Sequence, residues 1–232
     1  MSVITIYHGS PSVIEKPVFG LGNPQNDYGP GFYTTKDIEL AKEWACQEEG
    51  IDGQANEYTL DLSNLKVYNI ASESYNILNW LALLLNHRSF RISNDVAGSA
   101  KVFLLEEFMP PVKDADVLIG YRADDSYFSY ANSFLNSVLS LKQLEEAMYL
   151  GNLGEQTVLI SKKAFAQLRF QNSYTADTNI YHAKRVDRDA EARQAYHRQR
   201  SLQQAINAVY IMDIIREGWK NNDARLSRNL SR

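Results

Sequence analysis

The sequence predicts an α+β fold, and two observations support this prediction. Strand-like runs rich in β-branched and aromatic residues are interrupted by runs with helical periodicity. Several of the strand-like runs stand too close together for the crossovers that parallel strands need, which disfavours a doubly wound sheet. The chain has 232 residues, of which 44% are hydrophobic and 22% charged. It therefore has the composition of a globular protein and enough length for a large core.

The predicted strands are short runs of β-branched, aromatic or apolar residues bounded by turn residues. They lie at 3–7, 31–34, 57–62, 65–70, 116–121, 156–160 and 168–174. The predicted helices carry apolar residues at spacings of three and four, and Thr35 or Asp37 can cap the first one. They lie at about 37–48, 72–86, 99–107, 126–138 and 140–149, with a short helix from 161. Gly, Pro and Asn concentrate between residues 9 and 30, which predicts a long loop there.

From about Ala183 the composition changes, which predicts a domain at 1–180 and a helical, basic extension at 181–232. The net charge is −4, but residues 184–232 hold eleven Lys and Arg against six Asp and Glu, about +5, leaving about −9 elsewhere. Such a tail either binds an acidic partner or nucleic acid, or docks on the acidic body of its own chain. An apolar stripe at helical spacing, which packs on the main body or on another protein, consists of Leu202, Ile206, Val209, Met212, Ile215 and Trp219.

Several common functional classes are disfavoured. Residues 20–25 begin like G-x-G-x-x-G but lack the third glycine and have Pro24 where a helix should open, so a Rossmann site is not expected. There is no P-loop motif and no G-x-S-x-G elbow, and the histidines and Cys46 lack metal-ligand spacing. The N-terminus lacks the features of a signal peptide, and the longest apolar run, 80–85, is too short to span a bilayer. We therefore expect a soluble, cytoplasmic protein without a metal.

Two motifs near the N-terminus carry the strongest functional signal. The first is Tyr7-His8-Gly9-Ser10, at the end of the first predicted strand. The second is Tyr28-Gly29-Pro30-Gly31-Phe32-Tyr33-Thr34-Thr35, just before the first predicted helix. Together they supply an imidazole, a hydroxyl, glycine main chain and tyrosine rings. Such groups can hold a flat carboxamide ring and its ribose.

These motifs resemble the NAD-binding core of ADP-ribosyltransferases of the diphtheria-toxin and poly-ADP-ribose-polymerase type. There, a His-Gly-Ser/Thr ends the first strand and a Gly-x-Gly-hydrophobic-Tyr precedes a helix. The sequence looks still closer to an uncharacterised bacterial branch, often encoded as toxins beside small antitoxins. That branch shares Asp-(Phe/Tyr)-Gly-x-Gly-Phe-Tyr, a Trp-Ala on the following helix, an Ala-(Asp/Asn)-Asp after a strand, and a Gln before another strand. The resemblance covers residues 4–172 and implies an ADP-ribosyltransferase-like split sheet.

The resemblance also implies a role for each residue of the two motifs. The main chain of Gly9 would meet the nicotinamide carboxamide, and the Ser10 hydroxyl would donate to the same amide. Tyr33 would stack on the nicotinamide ring, with Tyr28 as a second wall, and His8 would bond a ribose hydroxyl. Arg122 either contacts the NAD pyrophosphate or lies on the surface. The implied NAD-binding residues are His8, Gly9, Ser10, Tyr28, Gly31, Tyr33 and Arg122.

The third motif departs from the polymerase-type pattern, in which a glutamate begins a late strand. Here that strand begins Glu155-Gln156, and because neighbours on a strand point to opposite faces, one of the two enters the site. We favour Gln156 as a ribose-orienting amide and keep Glu155 as the competing acid. A glutamine cannot act as a base, so the charge would come from Asp125 or Asp124, whose alternative role is to cap a helix.

The sequence thus leads to three hypotheses. The first is an NAD-dependent ADP-ribosyltransferase that modifies a protein or nucleic acid, releases nicotinamide and is held by a small antitoxin. The second is an NAD glycohydrolase or an inactive NAD-binding module. The third is a nucleic-acid-binding protein that uses its basic tail.

Overall fold

A computed structural model describes residues 3–92, 94–123, 125–147, 154–201 and 208–230. The strands in this part of the chain are β1 (Val3–Ser10), β2 (Phe32–Thr34), β3 (Gly53–Asp61), β4 (Val67–Asn69), β5 (Val117–Tyr121), β6 (Glu155–Leu159) and β7 (Leu168–Ala176). The helices are α1 (Ile38–Ala45), α2 (Ile77–His87), α3 (Asp95–Glu107), α4 (Asp125–Leu135), α5 (Leu141–Ala147), α6 (Lys162–Ala166), α7 (Thr178–Ser201), α8 (Ile211–Arg216) and α9 (Ala224–Asn229). The mixture of helices and strands confirms the α+β class.

The chain forms two compact units that interleave along the sequence. The first unit comprises residues 1–69, 111–122 and 154–189. It contains all seven described strands together with α1, α6 and the start of α7. The second unit comprises residues 70–110, 123–153 and 190–232. The domain boundary expected at 180/181 falls inside α7 and stays a prediction.

The first unit holds two sheets. One is fully antiparallel, with β3 between β1 and β7, and the other has the order β2-β6-β5-β4 with a parallel β4–β5 pair. Aromatic and branched side chains from both sheets form a shared core, with Ile6, Tyr58 and Leu60 on the first sheet and Phe32 and Leu159 on the second. This arrangement brings the end of β1 next to β2.

Helix α1 lies against β1 because glycine allows a close approach. Asp37 caps the helix by accepting from the main-chain N–H groups of Glu39 and Leu40. A Cβ on Gly9 would overlap the carbonyl oxygen of Ala41 and lie 2.7 Å from the nitrogen of Ala45. Gly9 therefore has a packing role whatever else it binds.

The start of the basic tail docks on this same helix. On α7, Arg188 forms a bidentate pair with the buried Glu43 at 2.8 Å for each contact, and Lys184 lies 3.3 Å from Glu39. For these residues the structure agrees with the alternative in which the tail packs on its own acidic body. In the described residues, no helix is both long and apolar enough to cross a membrane.

The second unit is helical, and α2 lies in its centre, with residues 77–85 all buried. In the described part of the predicted apolar stripe, Trp219 is buried as predicted, but Val209, Met212 and Ile215 are not fully buried. Leu202 and Ile206 lie outside the described residues. Residues 208–210 are not helical, and α8 buries Ile211 and Ile214 while Met212 is 39% exposed. The break in the helix shifts the buried face by one residue.

Candidate functional site

The candidate site lies in the first unit, where β1 and β2 meet. Tyr7 and Thr35 exchange two main-chain hydrogen bonds, of 2.7 and 2.9 Å. In a continued antiparallel register, Gly9 would stand opposite Tyr33. The Tyr33 carbonyl instead bonds the Nδ1 atom of His8 at 2.7 Å, so a side chain takes the place that a main-chain ladder would fill.

Because a side chain and not a main-chain ladder fills this place, one edge of β1 is exposed. Alternate residues of a strand direct their main-chain groups to the same side. Because the N–H and C=O of Tyr7 point toward Thr35, those of Gly9 also point away from β3 and toward this edge. A donor and an acceptor side by side complement a primary carboxamide, which offers one acceptor and two donor hydrogens. The predicted contact of Gly9 with a carboxamide is compatible with this geometry and stays a prediction.

His8 is half-buried, and its tautomer follows from its partner. A carbonyl can only accept, so Nδ1 carries the proton and donates it to the oxygen of Tyr33. Burial lowers the pKa of His8, while the hydrogen bond to Tyr33 opposes this with a smaller effect. The imidazole is therefore neutral at pH 7 and keeps Nε2 as an acceptor, which suits a ribose hydroxyl. Its ring rests on Phe32, with 4.4 Å between the ring centroids.

Ser10 is more constrained than its predicted role suggests. It is 5% exposed, and its hydroxyl donates to the carbonyl of Ser12 at 2.5 Å while accepting from the amide of Asn56 at 2.9 Å. The hydroxyl proton is thus used within the chain. A donor role toward a ligand would require the contact with Ser12 to be exchanged.

The Tyr33 phenol is held by the loop that precedes β2. Its hydroxyl donates to the carbonyl of Gly29 at 2.7 Å and accepts from the N–H of Tyr28 at 3.0 Å. Two bonds at the hydroxyl fix the position of the outer end of the ring. The stacking role itself stays a prediction.

Tyr28 and Gly31 have packing roles in the structure. Tyr28 is 2% exposed, and its hydroxyl donates to the carbonyl of Tyr121 at 2.8 Å. The expectation that Tyr28 forms a second wall of a ligand pocket is wrong for this structure, because its ring is enclosed by protein. A Cβ on Gly31 would lie 2.6 Å from Cγ1 of Val158. Glycine is needed there because the loop crosses β6 closely.

On β6 the two competing residues separate as strand alternation requires. Gln156 is 3% exposed, whereas Glu155 is exposed to solvent. Tyr33 pairs with Val158, so Gln156, two residues before Val158, shares a sheet face with Tyr33. The amide of Gln156 donates to Asp27 at 3.0 Å and to the carbonyl of Tyr121 at 3.2 Å. The structure thus brings Gln156, and not Glu155, toward the site.

Asp27 was missed by the sequence reasoning. It is 5% exposed and joins Gln156, which is 129 positions away in the sequence. A signal was present, because Asp27 is the first residue of the Asp-(Phe/Tyr)-Gly-x-Gly-Phe-Tyr pattern.

The remaining candidate residues from the sequence are Arg122, Asp124 and Asp125. The Arg122 guanidinium stacks on the ring of Trp44, with 4.6 Å to the centroid. The Nε1 of Trp44 is buried without a hydrogen-bond partner among the described residues. Asp124 lies outside the described residues, and Asp125 begins α4 in the second unit. In the described part of the chain, no three His, Cys, Asp or Glu side chains are grouped to hold a metal ion.

Comparisons with known proteins place the chain in a family. No curated protein and no solved structure matches it. A family model described as "Protein of unknown function (DUF3990)" matches residues 4–170, a segment that contains both N-terminal motifs, Asp27 and Gln156. Because this match covers more than half of the 232 residues, the chain belongs to the DUF3990 family.

Proposed function

We propose that the protein is an NAD-dependent ADP-ribosyltransferase, which transfers ADP-ribose to a macromolecular acceptor and releases nicotinamide. The observation that carries the proposal is the open main-chain edge at Gly9, beside the hydrogen bond from His8 to the Tyr33 carbonyl. A carboxamide bound at this edge would lie next to the neutral imidazole. The resemblance of the two motifs to the NAD-binding core supports the same substrate.

Three further features support NAD over a simpler amide. The Nε2 of His8 is an acceptor for a ribose hydroxyl, because Nδ1 is the donor to Tyr33. The Tyr33 ring is held rigidly beside the edge. Gln156 shares its sheet face and carries an amide oxygen that can accept from a second ribose hydroxyl. Together these groups match the nicotinamide riboside half of the dinucleotide.

The biological setting is part of the proposal and rests on the resemblance. In that setting the protein acts in the cytoplasm as a bacterial toxin that a small antitoxin protein restrains. The acceptor is a protein or a nucleic acid. Growth arrest on induced expression, relieved by His8→Ala, would agree with this setting.

The direct test uses NAD labelled in its adenine ring. The purified protein is incubated with the labelled NAD and a cell extract, and released nicotinamide and label on protein or nucleic acid are measured. We expect label on one macromolecular class, together with released nicotinamide. Free ADP-ribose alone would indicate a glycohydrolase, and binding without turnover would indicate an inactive module. A protein that neither binds nor consumes NAD would contradict the proposal.

His8→Ala is the matching variant, and His182→Ala, on α7, is its control. Loss of the imidazole removes a hydrogen bond to the ribose, so we expect nicotinamide release to fall by about tenfold or more. His182→Ala should retain wild-type release. Equal rates for all three proteins would remove His8 from the site.

A further inference from the structure

We propose that Asp27 is the catalytic carboxylate of this reaction, and that Gln156 is the residue that positions it. The inference deepens the proposed function and rests on it. Asp27 would stabilise the positive charge that develops on the ribose and would accept the proton of the attacking acceptor group. It would thereby supply the charge that a glutamine at the start of β6 cannot supply.

The first argument is the way in which Gln156 holds Asp27. The two N–H groups of the Gln156 amide go to the Asp27 carboxylate at 3.0 Å and the Tyr121 carbonyl at 3.2 Å. Neither of these partners can donate to the amide oxygen while Asp27 is ionised, so the orientation of the amide is fixed. Because the amide is fixed, it holds the Asp27 carboxylate in one orientation. This is the arrangement that a reactive carboxylate needs.

The second argument is the position of Asp27 in the loop. Asp27 directly precedes Tyr28 and Gly29, whose main-chain groups hold the hydroxyl of Tyr33. The carboxylate and the expected stacking ring are therefore fixed by one short segment. Gln156 reaches the same segment from β6 and shares the sheet face of Tyr33. Two parts of the chain thus converge on the segment that holds the hydroxyl of Tyr33.

The chemical step balances with these groups alone. The bond between C1′ of the ribose and the nicotinamide nitrogen breaks, and its electron pair neutralises the positive pyridinium. The positive charge passes to C1′ and its ring oxygen, opposite the Asp27 carboxylate. A hydroxyl, amine or carboxylic acid group of the acceptor forms the new bond to C1′ and loses its proton. Asp27 takes that proton and returns it to water.

A buried aspartate can also be purely structural, and the first unit provides a matched example. Asp116 is 8% exposed, compared with 5% for Asp27. It accepts from the Ser161 hydroxyl at 2.5 Å and the Lys66 N–H at 2.8 Å, and Lys163 lies 3.7 Å away. Asp116→Asn therefore reports the effect of neutralising a buried carboxylate outside the site.

The test compares Asp27→Asn with Asp116→Asn in the full chain. Three quantities are measured: kcat for nicotinamide release, Kd for NAD, and the thermal midpoint. We expect Asp27→Asn to lower kcat by about 100-fold or more while Kd changes less than about threefold. Asp27→Glu should recover part of the rate. Asp116→Asn should lower the thermal midpoint but keep kcat within about threefold.

A second variant keeps the inference testable if Asp27→Asn does not fold. Gln156→Glu would set a second carboxylate beside Asp27, and two adjacent carboxylates resist joint ionisation. The acidic limb of the kcat profile should then move up by about one pH unit or more. A structural Asp27 would leave this limb in place.

The outcomes separate the two proposals. If the wild-type protein turns over NAD and Asp27→Asn does so equally fast, the role of Asp27 is refuted while the proposed function stands. If Asp125→Asn or Asp124→Asn causes the large loss of kcat in place of Asp27→Asn, the charge belongs to those residues. A wild-type protein that releases no nicotinamide overturns both proposals.

Discussion

The two ends of the β5–β6 strand pair use buried aspartates in different ways. At one end Asp116 accepts from Ser161 and Lys66, and Lys163 lies nearby, so the carboxylate ties β5 to its neighbours. The hydrogen bond from Ser161 is the main reason that the pKa of Asp116 lies below its usual value. This end is built for stability.

At the other end, the carbonyl of Tyr121 accepts from both Tyr28 and Gln156, and Gln156 also donates to Asp27. The comparison teaches that burial of a carboxylate does not by itself identify a site. Its place in the fold matters as well, because Asp27 stands in the segment that holds the Tyr33 hydroxyl, whereas Asp116 stands at the other end of the strand pair.

The largest expected effect on stability belongs to Asp116. Asp116→Ala would leave the Ser161 hydroxyl and the Lys66 N–H without their acceptor in a buried place. We expect the free energy of unfolding to fall by about 3 kcal/mol, measured by urea denaturation. Asp114→Ala, which removes an exposed partner of Lys66, is the control and should change stability far less. Equal losses for the two variants would contradict the structural role assigned to Asp116.

The loss of stability at acid pH tests the same structural role of Asp116. Because the folded pKa of Asp116 lies below its ordinary value of 3.8, its contribution is fully present above that value and is lost as the pH falls through the folded pKa. The stability difference between wild type and Asp116→Asn should therefore be constant from about pH 7 to pH 5 and should shrink at lower pH. Urea midpoints across this range measure it. A difference that stays constant down to about pH 2 would show that the charge of Asp116 does not matter.

Much of the fold follows from local sequence pattern, but the ends and faces of some elements do not. Residues 53–56 of β3 are small or polar and were not predicted as strand, yet β3 pairs with β1 on one side and β7 on the other. A central strand tolerates such residues because its main chain is bonded on both sides. The tail stripe was wrong between residues 209 and 215, although Trp219 is buried as predicted. Its spacing was helical, but the chain breaks at 208–210 and α8 turns Ile211 and Ile214 inward.

The site shows the same division between local and long-range information. Strand alternation predicted that only one of Glu155 and Gln156 points inward, and the motif register favoured Gln156, which agrees with their burial. The local motif contained Asp27, but its link to Gln156 joins residues 129 positions apart and could not be predicted from local pattern. Tyr28 was misjudged because a tyrosine in a loop motif looks available to a ligand until the fold encloses it. Local sequence pattern predicts which face of a strand a side chain occupies, but not which distant residues it contacts.

The smallest expected effect concerns the stability of the end of the β5–β6 pair where Gln156 bonds Asp27. Tyr28→Phe keeps the buried ring and removes one of the two donors to the Tyr121 carbonyl, since the Gln156 amide remains. We expect a loss of about 1 kcal/mol in the free energy of unfolding, measured by urea denaturation. Tyr174→Phe removes a hydroxyl that bonds Glu57 at the surface, so it is the matched control and should leave stability nearly unchanged. The hydroxyl of Tyr28 belongs to the same short segment as the loop that holds Tyr33. A loss of stability confined to Tyr28→Phe would therefore mean that this end of the β5–β6 pair is fixed before any ligand binds. No loss would mean that the hydroxyl of Tyr28 contributes little to the stability of this end.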